Sequence, residues 1–205
     1  IATALARAHF TPVADRDPDV GDQRAYFTAA LALLGIKHRG DSSLPPATVS
    51  ASFDLDDAAG TTLLRADPVY LRADVSRLAL YDASSLALTE TDADGLLDEL
   101  NAAFAGDEIR FCRGSRAERW YLLGAGTADG ETLSPRDLNG QVLEPSLADS
   151  QALGGLKRIM TEAQMVLHDC DANQQRAQRG LPPVNSIWIW GNGELNADSS
   201  EQQGL

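Results

Sequence analysis

Lysine is nearly missing from this chain of 205 residues: only Lys37 and Lys157 occur, beside 15 arginines. The 17 basic side chains face 30 acidic ones, for a net charge of −13. Neutralising phosphates or an anionic bilayer needs a clustered positive field, so this balance argues against nucleic acid and membrane and leaves small molecules or proteins as partners. Cysteine is scarce as well. Cys112 and Cys170 lie in unrelated segments, which excludes the disulfide framework of a small secreted domain, and both read as buried free thiols. Neither belongs to a CxxC pair, and His168 alone stands near Cys170, so no tetrahedral metal set is expected and no cofactor is called for. The three histidines, His9, His38 and His168, are too scattered to serve a nucleophile, and neither a GxSxG elbow nor a phosphate-binding P-loop occurs. The apolar start IATALARAHF is broken by Arg7 and His9, and no run of about 18 apolar residues follows. A cytoplasmic protein without a signal peptide or membrane span is expected. The opening isoleucine and the polar close ADSSEQQGL suggest a longer native chain.

A hydrophobic content of 43% suffices for one core of about 150–200 residues. Asp22 to Gly35 predicts a helix with Tyr26, Phe27, Ala30, Leu31 and Leu34 on one face. TVSASFDL alternates Val49, Ala51, Phe53 and Leu55 and reads as a strand or extended segment. VYLRAD and RLALYD, joined at Val75-Ser76, predict a hairpin. A helix over TETDADGLLDELNAAF follows, capped by Thr89 or Thr91, with Leu96, Leu97, Leu100 and Phe104 buried. EIRFCRG and RWYLLG form a second strand pair. The order strand, strand, helix, strand, strand is an α+β arrangement, a small, mostly antiparallel sheet packed with helices. Gly124 to Ser150 is irregular apart from a helical turn at SPRDL. Then Leu153, Leu156, Ile159, Met160, Ala163, Val166, Leu167 and Cys170 mark the buried stripe of a long helix capped by Asp149 or Ser150. Asp171 and Gln174 have capping-box spacing for a short helix ending at Gly180. After Leu181-Pro182-Pro183, VNSIWIWGNG reads as a buried final strand covered on both faces. Residues 1–62 form a variable, mainly helical region, 63–193 the α+β region of the same domain, and 194–205 a polar tail.

Candidate site residues fall in three places, each with a structural alternative. Asn173, Arg176 and Asn185 surround the double-proline turn and could hold a carboxylate or phosphate by forked hydrogen bonds, or could cap helices and fix the turn. His168 shares a polar arc with Lys157, Thr161 and Gln164, either lining a cleft or forming the solvated edge of the helix. Arg72 and Arg77, on adjacent strands, could bind an anion. Alternatively, Arg65, Arg72 and Arg77 with Asp67, Asp74 and Asp82 are surface ion pairs of little energetic weight. The Gly191-Asn192-Gly193 end reads as a tight turn.

The stretch DANQQRAQRGLPPVNSIWIWGNG, with RADPVYLRADVSRLALYD and AERWYLL upstream, resembles the RpfE-type family of bacterial regulatory proteins from about Leu63 to Gly193. Asn173, Arg176, Gly180, Pro182, Pro183, Asn185, Trp188 and Gly191 match its pattern. More distantly, the chain is similar to the inserted domain of archaeal-type cofactor-independent phosphoglycerate mutases of the alkaline phosphatase superfamily. That domain also runs strand pair, helix, strand pair, then a long helix into an Asn-x-x-Arg segment. In those mutases a metal-bound serine or its equivalent carries the phosphoryl group, and its Asp and His ligands lie outside the matching stretch. The resemblance therefore implies the inserted domain's architecture without the catalytic partner, and makes the double-proline segment a junction. The function expected on this ground is that of a non-catalytic regulatory protein, or one binding a small phosphorylated or carboxylated molecule. The alternatives are a fragment of a metal-dependent phosphoglycerate mutase or phosphatase, and a protein-interaction module.

Overall fold

One strand touches three others. In the computed structural model, β1 (Leu63–Asp74) runs antiparallel to β2 (Arg77–Tyr81) through Tyr70–Asp74, to β4 (Trp120–Leu123) through Leu63–Arg65, and to β6 (Ser186–Trp190) through Arg65–Val69. The description covers residues 46–55, 62–74, 77–126, 133–143 and 154–191. All of these lie in the unit from Pro45 to Leu195. β3 (Arg110–Arg113) extends the sheet beyond β4, and β5 (Val142–Leu143) extends it beyond β2. Pro68 has no N–H for a ladder. It falls where β1 is paired by β6 alone, past the end of β4 and before the start of β2.

The alternation along β1 and β6 sends side chains to two covered faces. Leu64 and Ala66 join Phe111, Trp120, Leu122, Ile187 and Ile189 against two helices, α2 (Glu90–Ala103) and α3 (Gly154–Asp169). The helices contribute Leu96, Leu97, Leu100, Leu156, Ile159, Ala163 and Leu167. On the opposite face Leu63 and Tyr121 meet Ala47 and Ala51 of α1 (Pro46–Asp54). Further along, Val69, Leu80 and Trp188 meet Leu138 and Leu143. The expected α+β class, the two strand pairs, α2 and the buried final strand are all present. No helix among the described residues is long and apolar enough to cross a membrane.

Several local expectations change. All of TVSASFDL but its final Leu55 is helical. Pro46 occupies the first helical position, where a missing N–H costs nothing, and Ala47 and Ala51, four apart, form the buried stripe. Phe53, which the alternation would bury, is 55% exposed. At the start of α4 (Asp171–Gln178) there is no capping box. Cys170 is the N-cap and makes no side-chain cap bond, while the Gln174 amide donates to the Asp169 carbonyl. Thr89 does cap α2 in a full capping box, with Asp92 as its reciprocal acceptor. The irregular stretch contains the turn at Ser134–Gly140 and then β5, only two residues long and so without a periodic signal. The expected helix at Asp22–Gly35 and the caps Asp149 and Ser150 lie outside the described residues.

Gly124 ends β4 with φ +82, and a Cβ there would stand 2.1 Å from the Glu108 carbonyl oxygen. Gly126, at φ +78, faces open space. In urea denaturation, Gly126→Ala should therefore cost about 1–2 kcal/mol, the price of a left-handed backbone alone. Gly124→Ala should clearly exceed that, because backbone must also move.

Candidate functional site

The polar residues around the double-proline turn do converge, on backbone. Arg176 projects from α4 and is fully buried. Its Nη1 donates to Asp92 Oδ2 at 2.8 Å, its Nη2 to the carbonyls of Leu86 at 2.6 Å and Pro182 at 2.9 Å, and its Nε to Pro182 again at 3.3 Å. Asp92, which caps α2, receives Arg179 Nη2 as well. One carboxylate thus both finishes a helix start and anchors α4. Burial works to raise the Asp92 pKa, but bonds from Arg179 and Thr89 and the Arg176 charge outweigh it and hold the carboxyl below its usual range. Burial pulls Arg176 down while the Asp92 charge pulls it back. Asn173 behaves as a piece of backbone: its Nδ2 donates to the carbonyls of Leu167 at 2.7 Å and Val184 at 2.8 Å, and its Oδ1 accepts from the Val184 N–H at 2.9 Å. Asn185 does the same just before β6 begins, accepting from the Leu71 N–H at 2.7 Å and donating to the Leu71 carbonyl at 2.8 Å. The three side chains tie α3, α4, β6 and β1 together, and their hydrogen bonds run to protein groups.

A second charged cluster lies on the α1 side of the sheet. The Arg65 guanidinium sits between the rings of Tyr121 and Trp190, at 5.3 and 5.2 Å from their centroids. Its fork meets Asp67 Oδ1 through Nε at 3.1 Å and Nη2 at 2.6 Å. Asp67 also accepts from the Trp120 N–H at 3.2 Å and Trp190 Nε1 at 2.7 Å. Burial pushes Asp67 up, against the pull of the Arg65 charge and these donors. The expectation of a surface ion pair fails here, since both side chains are about nine-tenths buried. Their positions two apart in a strand otherwise apolar from Leu63 to Val69 are the signal for joint burial. Next to this pair, Asp54 at the end of α1 accepts from Ser115 Oγ at 2.6 Å, Arg119 Nη1 at 2.9 Å and Tyr121 Oη at 2.5 Å. Burial raises and these bonds lower the Asp54 pKa, with a net depression, while burial and the Asp54 bond push the Tyr121 phenol up.

The remaining candidates stand apart. His168 is exposed at the end of α3, 3.9 Å from Asp169. Lys157 and Thr161 line a shallow surface depression with Arg158, Glu162, Met165 and Val166, whereas Gln164 donates to Ser186 Oγ at 3.1 Å. Arg72 and Arg77 are exposed on the β1–β2 hairpin. Both thiols are free, Cys112 half-buried and Cys170 buried, and burial raises each pKa, away from a reactive thiolate. Among the described residues no group of three or more His, Cys, Asp and Glu side chains could hold a metal ion.

No protein-family model matches the chain. A probable 2,3-bisphosphoglycerate-independent phosphoglycerate mutase of Geobacter sulfurreducens is 24% identical over 145 residues, covering 71% of this chain and 36% of that protein. The 2,3-bisphosphoglycerate-independent phosphoglycerate mutase of Methanosarcina acetivorans is 28% identical over 158 residues, 73% of this chain and 38% of its own. The chain is distantly similar to cofactor-independent phosphoglycerate mutases. A third relative, phosphoglycerate mutase 2 of Methanothermobacter thermautotrophicus, is 26% identical over 172 residues, or 80% of this chain and 40% of that one. The chain thus spans about two fifths of the length of the curated relatives it matches. A solved cofactor-independent phosphoglycerate mutase from Thermoplasma acidophilum superposes with TM-score 0.45 at 18% identity, covering 81% of this chain and 45% of that one. The curated relatives overturn the expectation of a non-catalytic regulatory or ligand-binding protein. That expectation rested on missing metal ligands, but a stretch matching about two fifths of an enzyme need not carry them.

Replacing Arg176 with Met should cost about 3–5 kcal/mol in urea denaturation, because Asp92 loses its buried partner and the Leu86 and Pro182 carbonyls lose their donor. Arg179→Met, at a side chain 45% exposed, should cost about 1 kcal/mol or less. Acid should expose the same carboxylates. The folded pKa values of Asp92 and Asp54 lie below the unfolded ones. Their stabilisation is therefore present above the ordinary Asp range and lost as pH falls through the depressed values. Thermal melts between neutral and acid pH should show that loss, with a shallower fall in Asp92→Asn.

Proposed function

We propose that this chain is a segment of a cytoplasmic 2,3-bisphosphoglycerate-independent phosphoglycerate mutase, and that the whole protein acts on a small phosphorylated carboxylic acid, phosphoglycerate. The observation that carries the reading is the run of curated mutases aligned with 71–80% of the chain. The architecture fits the reading, as strand pair, helix, strand pair and long helix is the order that the resemblance implies for the mutase insertion. Within the same reading we place the finer kinship to the RpfE-type family, which rests on the pattern from Asn173 to Gly191.

The metal ions that the resemblance implies find no ligand set among the described residues, so no chemical step through a metal is assigned to this stretch. Its contribution is positional. Asn173, Arg176 and Asn185 set the angle at which α4 delivers the chain into β6, and Trp188 and Trp190 pack the strand that follows. Phosphoryl transfer depends on placing the reacting oxygens in line and neutralising charge. A scaffold held by buried, fully bonded polar groups suits the first task.

The reading is tested with the protein at its native length. Incubated with 3-phosphoglycerate and Mn²⁺ or Mg²⁺ and followed by phosphorus NMR, it should form 2-phosphoglycerate at a rate indifferent to added 2,3-bisphosphoglycerate. A folded preparation that leaves 3-phosphoglycerate unchanged would rule the reading out.

A further inference from the structure

β3 lies at one end of the sheet, and β4 is its single strand neighbour among the described residues. The register fixes which way its backbone groups point. Gly114, just past β3, donates its N–H to the Arg119 carbonyl at 2.8 Å. Residues along an antiparallel strand alternate between turning both backbone groups to the partner and turning both away. Arg110, Cys112 and Gly114 therefore face the β4 side, and Phe111 and Arg113 turn their N–H and C=O groups away from it. An outward row of that kind is where a further strand adds itself to a sheet.

At Phe111 that place is occupied. Asn101, in the last turn of α2, accepts from the Phe111 N–H at 2.8 Å through Oδ1 and donates to the Phe111 carbonyl at 2.9 Å through Nδ2. A residue of a neighbouring strand would make the same two bonds. Glu90, Asp94 and Asn101 lie within about 40° of one another around the helix, so one stripe of α2 runs along the edge. Its other end is tied there by Arg113, whose Nε meets Asp94 Oδ1 at 2.7 Å and whose Nη2 lies 3.7 Å from Glu90 Oε2. The Phe111 ring is buried edge-on against Phe104, at 5.4 Å between centroids, and holds the strand in place. Asn173 and Asn185 make equivalent bonds between elements inside the fold, whereas Asn101 makes them on the outer side of the end strand. Water could satisfy two edge groups equally well. A side chain anchored in a helix differs in that an incoming strand has to displace it.

We infer that Asn101 blocks the sheet edge, its amide standing where β3 of a second copy of this chain would pair. Charge alone does not keep two copies apart there. In an antiparallel pairing centred on Phe111, Arg110 of one copy faces Cys112 of the other and Arg113 faces Ile109, so no two cations are directly opposed. An edge paired with itself gives a closed two-fold dimer. The test variant is Asn101→Ala, since alanine suits the helix, with Asn101→Asp, which keeps the acceptor but not the donor, measured beside it. Masses are read by light scattering at about 0.3 M salt, where the repulsion between chains of net charge −13 is screened. At about 100 µM, Asn101→Ala should have twice the mass of the unsubstituted chain, and in dilute solution its Phe111 amide should exchange hydrogen about tenfold faster. Asn101→Asp should dimerise less. Adding Arg113→Pro to Asn101→Ala should restore the original mass, because proline removes an outward N–H from the edge. An unchanged mass although the Phe111 amide is freed, or an amide that exchanges no faster, overturns the block. So does a mass increase that Arg113→Pro leaves in place, or one that grows beyond two copies. If Asn101→Ala does not fold, Asn101→Asp decides: a rise in mass upholds the block and no rise overturns it.

Discussion

A guanidinium with no access to water has to be answered by the protein around it, and the answer given to Arg176 organises half of this structure. Its donors reach a carboxylate on α2, the carbonyl of Leu86 before that helix, and the carbonyl of Pro182 after α4. Two segments far apart in sequence, one holding Leu86 and Asp92 and the other Arg176 and Pro182, are thereby placed around one charge. Leaving an ion pair of this kind half-made costs far more than the pair contributes when complete. What it supplies is a single permitted arrangement. Asn173 then copies the hydrogen bonds of a strand at Val184, and Asn185 copies them at Leu71, so the chain enters and leaves the double-proline turn in one orientation.

That use of polar residues explains why the junction reads as a binding site in sequence. Asparagine and arginine side chains near a turn have the same forked donors whether they hold a phosphate or a carbonyl, and only the fold decides between the two. Other elements were legible because their periodicity is strong: α2 from Leu96, Leu97 and Leu100, α3 from Leu156, Ile159 and Ala163, and the hairpin from two short apolar runs around Val75-Ser76. α1 was not. With Ala47, Ala51 and Phe53 in one short segment, alternation and helical spacing both fit, and tertiary packing of two alanines against Tyr121 selected the helix. β5 carries too few residues for any period. The burial of Arg65 and Asp67 was hidden because charged residues are counted as exposed by default, although their neighbours Leu63, Leu64, Ala66 and Val69 are all buried.

The functional lesson is one of proportion. Missing nucleophiles and metal ligands are informative only if the stretch in hand is where an enzyme keeps them. The matched mutases extend well beyond the region of similarity, so the absence of a metal-ligand group among the described residues says nothing against catalysis elsewhere in such a protein.

Asp67 has a consequence beyond its own pocket. Its four donors come from β1, β4 and β6: the Arg65 fork, the Trp120 N–H and the Trp190 indole. Slipping any one of these strands by one position would turn its side chains to the opposite face. For β1 that would drive Arg65 and Asp67 among the leucines of α2 and α3. Apolar alternation alone would tolerate a shift by two, since apolar side chains would again fall on the same face. A carboxylate with one set of partners would not. Asp67 thus acts as a key that admits a single alignment of three strands and rejects the near-misses a purely apolar sheet would accept.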